Sequence, residues 1–231
     1  MIGVRAVLFD AGATLVHPEP AVEVVYGREL ARDGATFTEE ALSRALTRAW
    51  EDVHREEKED RYGGVRGEEG FWRAFLARVR WELDGEPVSP SAFDRLAAHF
   101  RDPASWSVYD DVFETLGALA AGGWRLGIVS NWDSALPSIL EGLGIAAQFS
   151  VVAVSAIEQT GKPAPEIFRR ACARLGVAPH EALHVGDSLR EDYEGARGAG
   201  LQALLLDRLG RAGPGVDAIR TLREVLSRLS S

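Results

Sequence analysis

Cysteine occurs once in 231 residues, at Cys172, so no intramolecular disulfide can brace the fold. It falls in Phe168-Arg169-Arg170-Ala171-Cys172, a helix-like stretch where a free thiol packs as a small hydrophobe. Long apolar runs are missing too. None approaches the ~20 residues needed to span a bilayer, and no leader pattern precedes the first strand. A cytoplasmic protein with no membrane partner is expected. Positive charge is in deficit, with 26 Lys and Arg against 35 Asp and Glu and a net charge of −9. Such a surface repels a phosphate backbone, which argues against a nucleic-acid partner. A small anionic substrate needs only local positive charge. Lysine itself is the scarcest cation: apart from Lys58 and Lys162, every one of the 26 is arginine. A compact ammonium suits a point contact with phosphate or carboxylate where a planar guanidinium does not fit. That singles out Lys162, in Gly161-Lys162-Pro163.

What is present is ordinary for a soluble globular chain: 46% hydrophobic and 26% charged residues, enough for a sizeable core. Val4 to Phe9 is a short apolar run ending at Asp10, which predicts a buried parallel strand with a loop at its carboxyl end. From about Pro18 to Phe100 the pattern changes. Glu23–Arg32, Glu39–Glu56, Glu69–Glu82 and Pro90–Phe100 space their apolar residues as helices do, with no strand between them. This predicts a helical insertion over residues 18–102 in a core formed by 1–17 and 103–231.

Pro103–Val108 reads as a connector. Helices are predicted over Asp111–Ala121, Ser134–Leu143, Pro165–Leu175, Glu191–Gly198 and Asp217–Leu229. Strands over Arg125–Val129, Ser150–Val154, Glu181–Val185 and Leu201–Leu206 alternate with them. The alternation predicts an α/β fold, a doubly wound parallel sheet covered on both faces. In such sheets ligands bind beyond the carboxyl ends of the strands. Asp10, Ser130 and Asp187 each follow a predicted strand, and Lys162 lies in a loop after one. The four are expected to meet at one edge.

The motifs around these positions are Phe9-Asp10-Ala11-Gly12-Ala13-Thr14-Leu15, Val129-Ser130-Asn131-Trp132-Asp133, Gly161-Lys162-Pro163-Ala164-Pro165, and His184-Val185-Gly186-Asp187-Ser188 with Asp192. Taken in this order, they make the chain resemble the haloacid dehalogenase superfamily of hydrolases along its whole length. The second and fourth are most similar to the subgroup called haloacid dehalogenase-like hydrolase domain-containing protein 3. The helical insertion resembles that superfamily's mobile cap, laid on a Rossmann-like core.

The resemblance implies a role for each position. Asp10 would be the nucleophile that attacks phosphorus and forms an acyl phosphate. Mg²⁺ would be held by Asp10, the Gly12 carbonyl and Asp187, with water completing its shell. Ser130 and Asn131 would receive the phosphoryl oxygens, and Thr14 would fix the first loop beside them. Lys162 would neutralise nucleophile and phosphoryl group, with Asp192 and Ser188 in support. The implied substrate is a small phosphorylated metabolite. Plainer readings stand beside these: Asp10 and Asp187 also suit helix N-caps, Ser130 a turn and Lys162 a solvated loop. His184 reads as a residue that packs or bonds to backbone, and Trp132, beside the site, as packing before substrate contact.

One position departs from the pattern. Phosphatases of the superfamily carry a second aspartate two residues after the nucleophile, to protonate the leaving group and later activate water. Here that position is Gly12, followed by Ala13. Losing a general acid costs ~10²–10⁴-fold in rate. A phosphatase acting on a weakly basic leaving group, as in an acyl or aryl phosphate, would suffer least. His17 offers a substitute acid. A non-catalytic protein binding phosphate and metal, a 2-haloacid dehalogenase and a phosphonoacetaldehyde hydrolase also remain open. The last would need a cap lysine, and Lys58 sits in a solvated charge run. Substrate choice is expected from the cap, with the glycine-rich stretch from Arg61 to Gly67 as its candidate loop.

Overall fold

The computed structural model describes residues 3–56 and 67–229. Lys58 and the candidate specificity loop over residues 61–66 lie outside the described residues. The chain opens with β1 (Ala6–Phe9), buried at every position, and a short β2 (Val16–Pro18). Four helices follow: α1 (Val22–Arg32), α2 (Glu39–Glu56), α3 (Gly67–Asp84) and α4 (Pro90–Arg101). β3 (Trp106–Val108) then returns to pair antiparallel with β2. Next come α5 (Val112–Ala121), β4 (Arg125–Ser130), α6 (Leu136–Gly142), β5 (Val151–Val154), α7 (Ser155–Glu158) and α8 (Pro165–Leu175). The chain closes with β6 (Ala182–Gly186), α9 (Gly195–Gly198), β7 (Gln202–Leu206), β8 (Ala218–Ile219) and α10 (Glu224–Leu229).

Six strands form one parallel sheet in the order β5-β4-β1-β6-β7-β8. The chain winds outward from β1 through β4 to β5. It then crosses back to β6 and winds the other way. That reversal opens a crevice beyond the carboxyl ends of β1 and β6. The two-residue period of β1 sorts its side chains between two cores. Val7 and Phe9 pack with Leu116, Leu119 and Val225 on one face. Ala6 and Leu8 pack with Ile167, Phe168 and Cys172 on the other. Cys172 is thus a core residue, and burial pushes its thiol up to about 11.

The four helices after β2 build a cap with its own core, around Leu30, Leu42, Phe71, Phe75 and Leu96. Charges are drawn into it in pairs. Glu29 on α1 meets Arg95 on α4 at 2.6 Å. Arg80 on α3 meets Asp84 at 2.9 Å and donates to the Asp33 carbonyl at 3.2 Å. Among the described residues no helix is long and apolar enough to cross a membrane.

Three predicted elements need correction. The helix expected from Asp217 begins only at Glu224, and Ala218–Ile219 forms β8. The open edge of β7 explains this: Leu205 and Asp207 donate to the Asp217 and Ile219 carbonyls, pairing backbone that would otherwise be exposed. The connector after Pro103 holds a 3₁₀ turn and β3, so both crossings between cap and core run side by side as a ribbon. The helix expected from Glu191 starts earlier, as a π-helical turn over Leu189–Glu194, in which Asp192 and Tyr193 both donate to the Ser188 carbonyl. π-bulges of this kind concentrate at functional sites.

Candidate active site

β1 delivers Asp10 to the crevice, where its amide continues the ladder by donating to the Val185 carbonyl at 2.9 Å. Lys162 is the centre of the arrangement. Its Nζ donates to Asp10 Oδ1 at 2.6 Å and to Asp192 Oδ1 at 2.6 Å. Only 2% of Lys162 is exposed, which excludes a solvated loop lysine. Its backbone is clamped by Asn131, whose Oδ1 accepts from Lys162 N at 2.7 Å and whose Nδ2 donates to the Lys162 carbonyl at 2.8 Å. Nδ2 also donates to Glu191 at 2.9 Å. The Asn131 side chain therefore positions the lysine.

Asp192 is fully engaged. Oδ1 also contacts His184 Nε2 at 2.9 Å, and Oδ2 accepts from Ser188 N at 3.0 Å. Ser188 caps the turn that carries Asp192, its Oγ accepting from Glu191 N at 3.2 Å. Gly186 leaves room for this carboxyl: a β-carbon there would collide with it.

Burial works against charge on Lys162, yet the pull of Asp10 and Asp192 offsets it and raises the lysine pKa. Burial likewise opposes charge on Asp192, but Lys162 and then His184 hold it far below the usual carboxylate range. Asp10 is raised, first by burial and then by Asp192; Lys162 and a hydrogen bond from Ser130 pull it back. Lys162 stays an ammonium, so a cation stands in contact with the Asp10 carboxylate. Asp187 completes the cluster, with oxygens of Asp10, Asp187 and Asp192 all within 4.8 Å of one another. Asp187 is open to solvent on one side. Desolvation by the surrounding protein, then repulsion from Asp10 and Asp192, push it up to about 7. The repulsion is the cause the geometry supports best.

The first loop is held from behind. Thr14 is wholly buried, so its side chain packs in the interior, and its Oγ1 has no hydrogen-bond partner among the described residues. Its carbonyl accepts from Arg208 Nη2 at 3.0 Å. Arg208 is fixed by two bonds to Asp111, at 2.9 and 3.0 Å, and lies over the Tyr109 ring. His17 packs on the same Tyr109 ring, with centroids 4.6 Å apart. Ala13, not Gly12, takes the left-handed conformation, with φ 54°. Residue 12 is restricted differently: a β-carbon there would lie 3.1 Å from Trp132 Cζ3. Trp132 is backed by Trp106, with ring centroids 4.8 Å apart.

Between cap and core lies a cavity of about 570 Å³, bounded by Asp10, Gly12, Ser130 and Asn131 at the core. Ser130 is buried against Asp10. Two cap contacts close over the loop after β4: Trp72 Nε1 donates to Asp133 Oδ2 at 2.9 Å, and Ser134 N and Oγ donate to Glu68 at 3.1 and 2.8 Å. Sequence reasoning missed Asp111, Arg208 and the bridging role of Asp133. Asp111 and Arg208 sit in no recognisable motif, Asp133 ends one without its partner being readable from it, and each acts through partners far along the chain. His184 was expected to pack or to bond to backbone. The signal for more was its place on a central strand two residues before a motif glycine.

A model of the haloacid dehalogenase-like hydrolase family matches residues 4–200. The chain is 32% identical over 212 residues to haloacid dehalogenase-like hydrolase domain-containing protein 3 of Danio rerio, covering 90% of this chain and 86% of that one. It is 33% identical over 220 residues to a phosphoserine phosphatase of Thermus thermophilus, covering 88% and 82%. The crystal structure of a HAD phosphatase from Thermococcus onnurineus superposes with a TM-score of 0.69 at 28% identity, covering 98% of each chain. The chain belongs to the haloacid dehalogenase-like hydrolases.

Proposed function

We propose that this chain is a Mg²⁺-dependent phosphatase for a small phosphorylated metabolite, working through an aspartyl phosphate on Asp10. The observation that carries the reading is the Lys162 ammonium, buried and 2.6 Å from Asp10, beside a third carboxylate and beneath a capped cavity. Phosphoryl transfer asks mainly for position and charge neutralisation, and the cluster offers both.

Mg²⁺ fits the residues present. Asp10, Asp187 and the Gly12 carbonyl are hard oxygen donors, and crowded carboxylates are what such an ion relieves. When bound it would draw charge from the phosphoryl oxygens. Asp10 attacks phosphorus. Lys162 keeps its charge against burial and neutralises both nucleophile and phosphoryl group. Ser130 orients Asp10 and faces the phosphoryl oxygens. Asn131 keeps Lys162 in place from the cleft wall, and Thr14 orders the loop that carries Gly12. Asp192, capped through Ser188, orients Lys162. Residues 18–102 act as a cap domain on a core of 1–17 and 103–231, swinging about the β2–β3 ribbon to shield the site from water.

The test is phosphate release from a panel of small phosphates with Mg²⁺ or with EDTA, using Asp10→Asn as control. Calorimetry supplies a second readout: Asp187→Asn is expected to abolish Mg²⁺ binding. Unchanged binding in that variant, or turnover that survives Asp10→Asn, would refute the assignment.

A further inference from the structure

The cavity is far more apolar than phosphate capture requires. Cap helices contribute Tyr26, Trp50, Phe75, Phe93 and Phe100 to its wall, and the core adds Trp106 and Trp132. Glu23, Thr47 and Arg101 stand at its exposed rim, and two polar groups deeper in the wall are already committed. Asp133 accepts from Trp72 and from Ala135 N at 3.0 Å, and Asn131 holds Lys162. A polyhydroxylated or amino-acid leaving group would bring hydroxyls or amines with no partner against the aromatic faces that make up most of this wall, at ~1–3 kcal/mol each. An aromatic ring would instead bury against aromatic faces.

A second observation bears on the same choice. Beside the nucleophile, the space a side chain at residue 12 would enter is faced by the Trp132 indole at 3.1 Å. That wall offers a hydrocarbon edge where a proton donor would stand. A leaving group departing there must carry its own negative charge. Aryl oxygens can, with phenols titrating near ~10; alkoxides cannot.

We propose that the physiological leaving group is an aryl oxygen, so that the substrate is an aryl phosphate whose ring occupies the apolar cavity. The proposal rests on the phosphatase reading. Asp10 bonds to phosphorus as the phosphorus–aryl oxygen bond breaks, and the electron pair leaves on the aryloxide, which later takes a proton from water. Water then attacks the acyl phosphate, the pair returns to the Asp10 carboxylate, and the proton leaves on the released phosphate. Small acyl phosphates meet the leaving-group requirement and leave the cavity empty. Alkyl phosphates with an aromatic tail fill the cavity and fail at departure.

The test compares kcat/KM of the whole chain with Mg²⁺ on four probes: 1-naphthyl phosphate, acetyl phosphate, benzyl phosphate and phosphoserine. Naphthyl phosphate is expected to exceed benzyl phosphate and phosphoserine by at least ~100-fold, the worth of a missing acid. It should exceed acetyl phosphate by at least ~10-fold, the worth of a filled apolar pocket. Ala97, which lines the cavity from α4, gives a variant: Ala97→Trp should crowd it and shrink the naphthyl-to-acetyl ratio by at least ~10-fold. Phosphoserine or benzyl phosphate matching naphthyl phosphate would overturn the proposal while leaving the phosphatase reading intact. So would an acetyl phosphate rate equal to the naphthyl rate, or a ratio unmoved in Ala97→Trp. No turnover of any probe and no phosphate on Asp10 by mass spectrometry would overturn both.

Discussion

Lys162→Met removes the ammonium and keeps most of the side chain's length. Nζ lies 2.6 Å from a carboxylate oxygen on each side, and all three side chains are buried. Removing one partner of a buried ion pair costs ~3–5 kcal/mol, because the remaining charge stays desolvated. Two carboxylates lose their cation here, so the upper end of that range is expected near neutral pH. For a domain of this size ~1 kcal/mol moves Tm by about 2–4 °C, which predicts a fall on the order of 10–20 °C.

The pH dependence separates this cause from a simple packing defect. In the native protein Asp192 titrates below its ordinary value, so its contribution is present above ~4 and is lost only as pH falls toward its depressed pKa. Without Lys162, burial of Asp10 loses its main opposing charge and Asp10 rises further, while Asp192 keeps His184 and Ser188 N. Asp10 ionisation then opposes folding more strongly, and stability is lost as pH rises through its raised value. The gap between native protein and variant should therefore widen from about pH 5 to about pH 8. Urea unfolding in EDTA across that range measures it. A gap that stays constant would refute the electrostatic account and leave only lost packing.

Gly12→Asp should raise alkyl phosphate hydrolysis by ~10²-fold or more relative to aryl phosphate, since it restores a proton donor. The φ of residue 12 is not left-handed, so the cost is the 3.1 Å approach to Trp132, ~1–3 kcal/mol by denaturant unfolding. An equal gain on both substrate types would contradict the role given to that position. Asp111→Ala strands Arg208 and removes acceptors for Thr221 Oγ1 and Leu222 N, at 2.8 and 2.9 Å. A loss of ~3–5 kcal/mol is expected, with a lower kcat as the Thr14 loop loosens; native stability would argue against it. Cys172, buried and pushed up to about 11, should resist iodoacetamide near neutral pH and react once per chain only after unfolding, as counted by mass spectrometry.

Much of this architecture is legible in the sequence because its signals are local. The apolar run into Asp10 states both the strand and where it ends. The cap helices announce themselves by spacing, and Gly122-Gly123 marks the end of α5, with Gly123 at φ +87°. Contacts made across the fold are not local, and those were missed. β8 exists because β7 needs an edge partner, and nothing in Asp217 to Leu229 says so by itself. Arg208 reaches the Thr14 carbonyl across 194 residues of chain. Asn131 lines the cavity, and its side-chain amide also answers the backbone of a loop 31 residues away, a contact that no local signal announced. The motif lysine was legible as a charge; that its partners would be two carboxylates at equal distance depended on the π-helical turn that aims Asp192.

Charge balance at the crevice ties these pieces together. Asp10, Asp187 and Asp192 bring three negative charges and Lys162 one positive, a sum of −3 + 1 = −2 when all are ionised. The protein itself answers part of this. His184 and Ser188 N satisfy Asp192, and Lys162 keeps its proton against burial. What remains falls on Asp10 and Asp187, whose carboxyls are both raised. A divalent cation between those two would bring the cluster to zero, and only then could a phosphate dianion approach without repulsion. The apolar wall sharpens the requirement, because a cavity lined by aromatic rings screens charge far less than water does. On the proposed reading, the same wall that would select an apolar leaving group would make the chemistry depend on cation and lysine together.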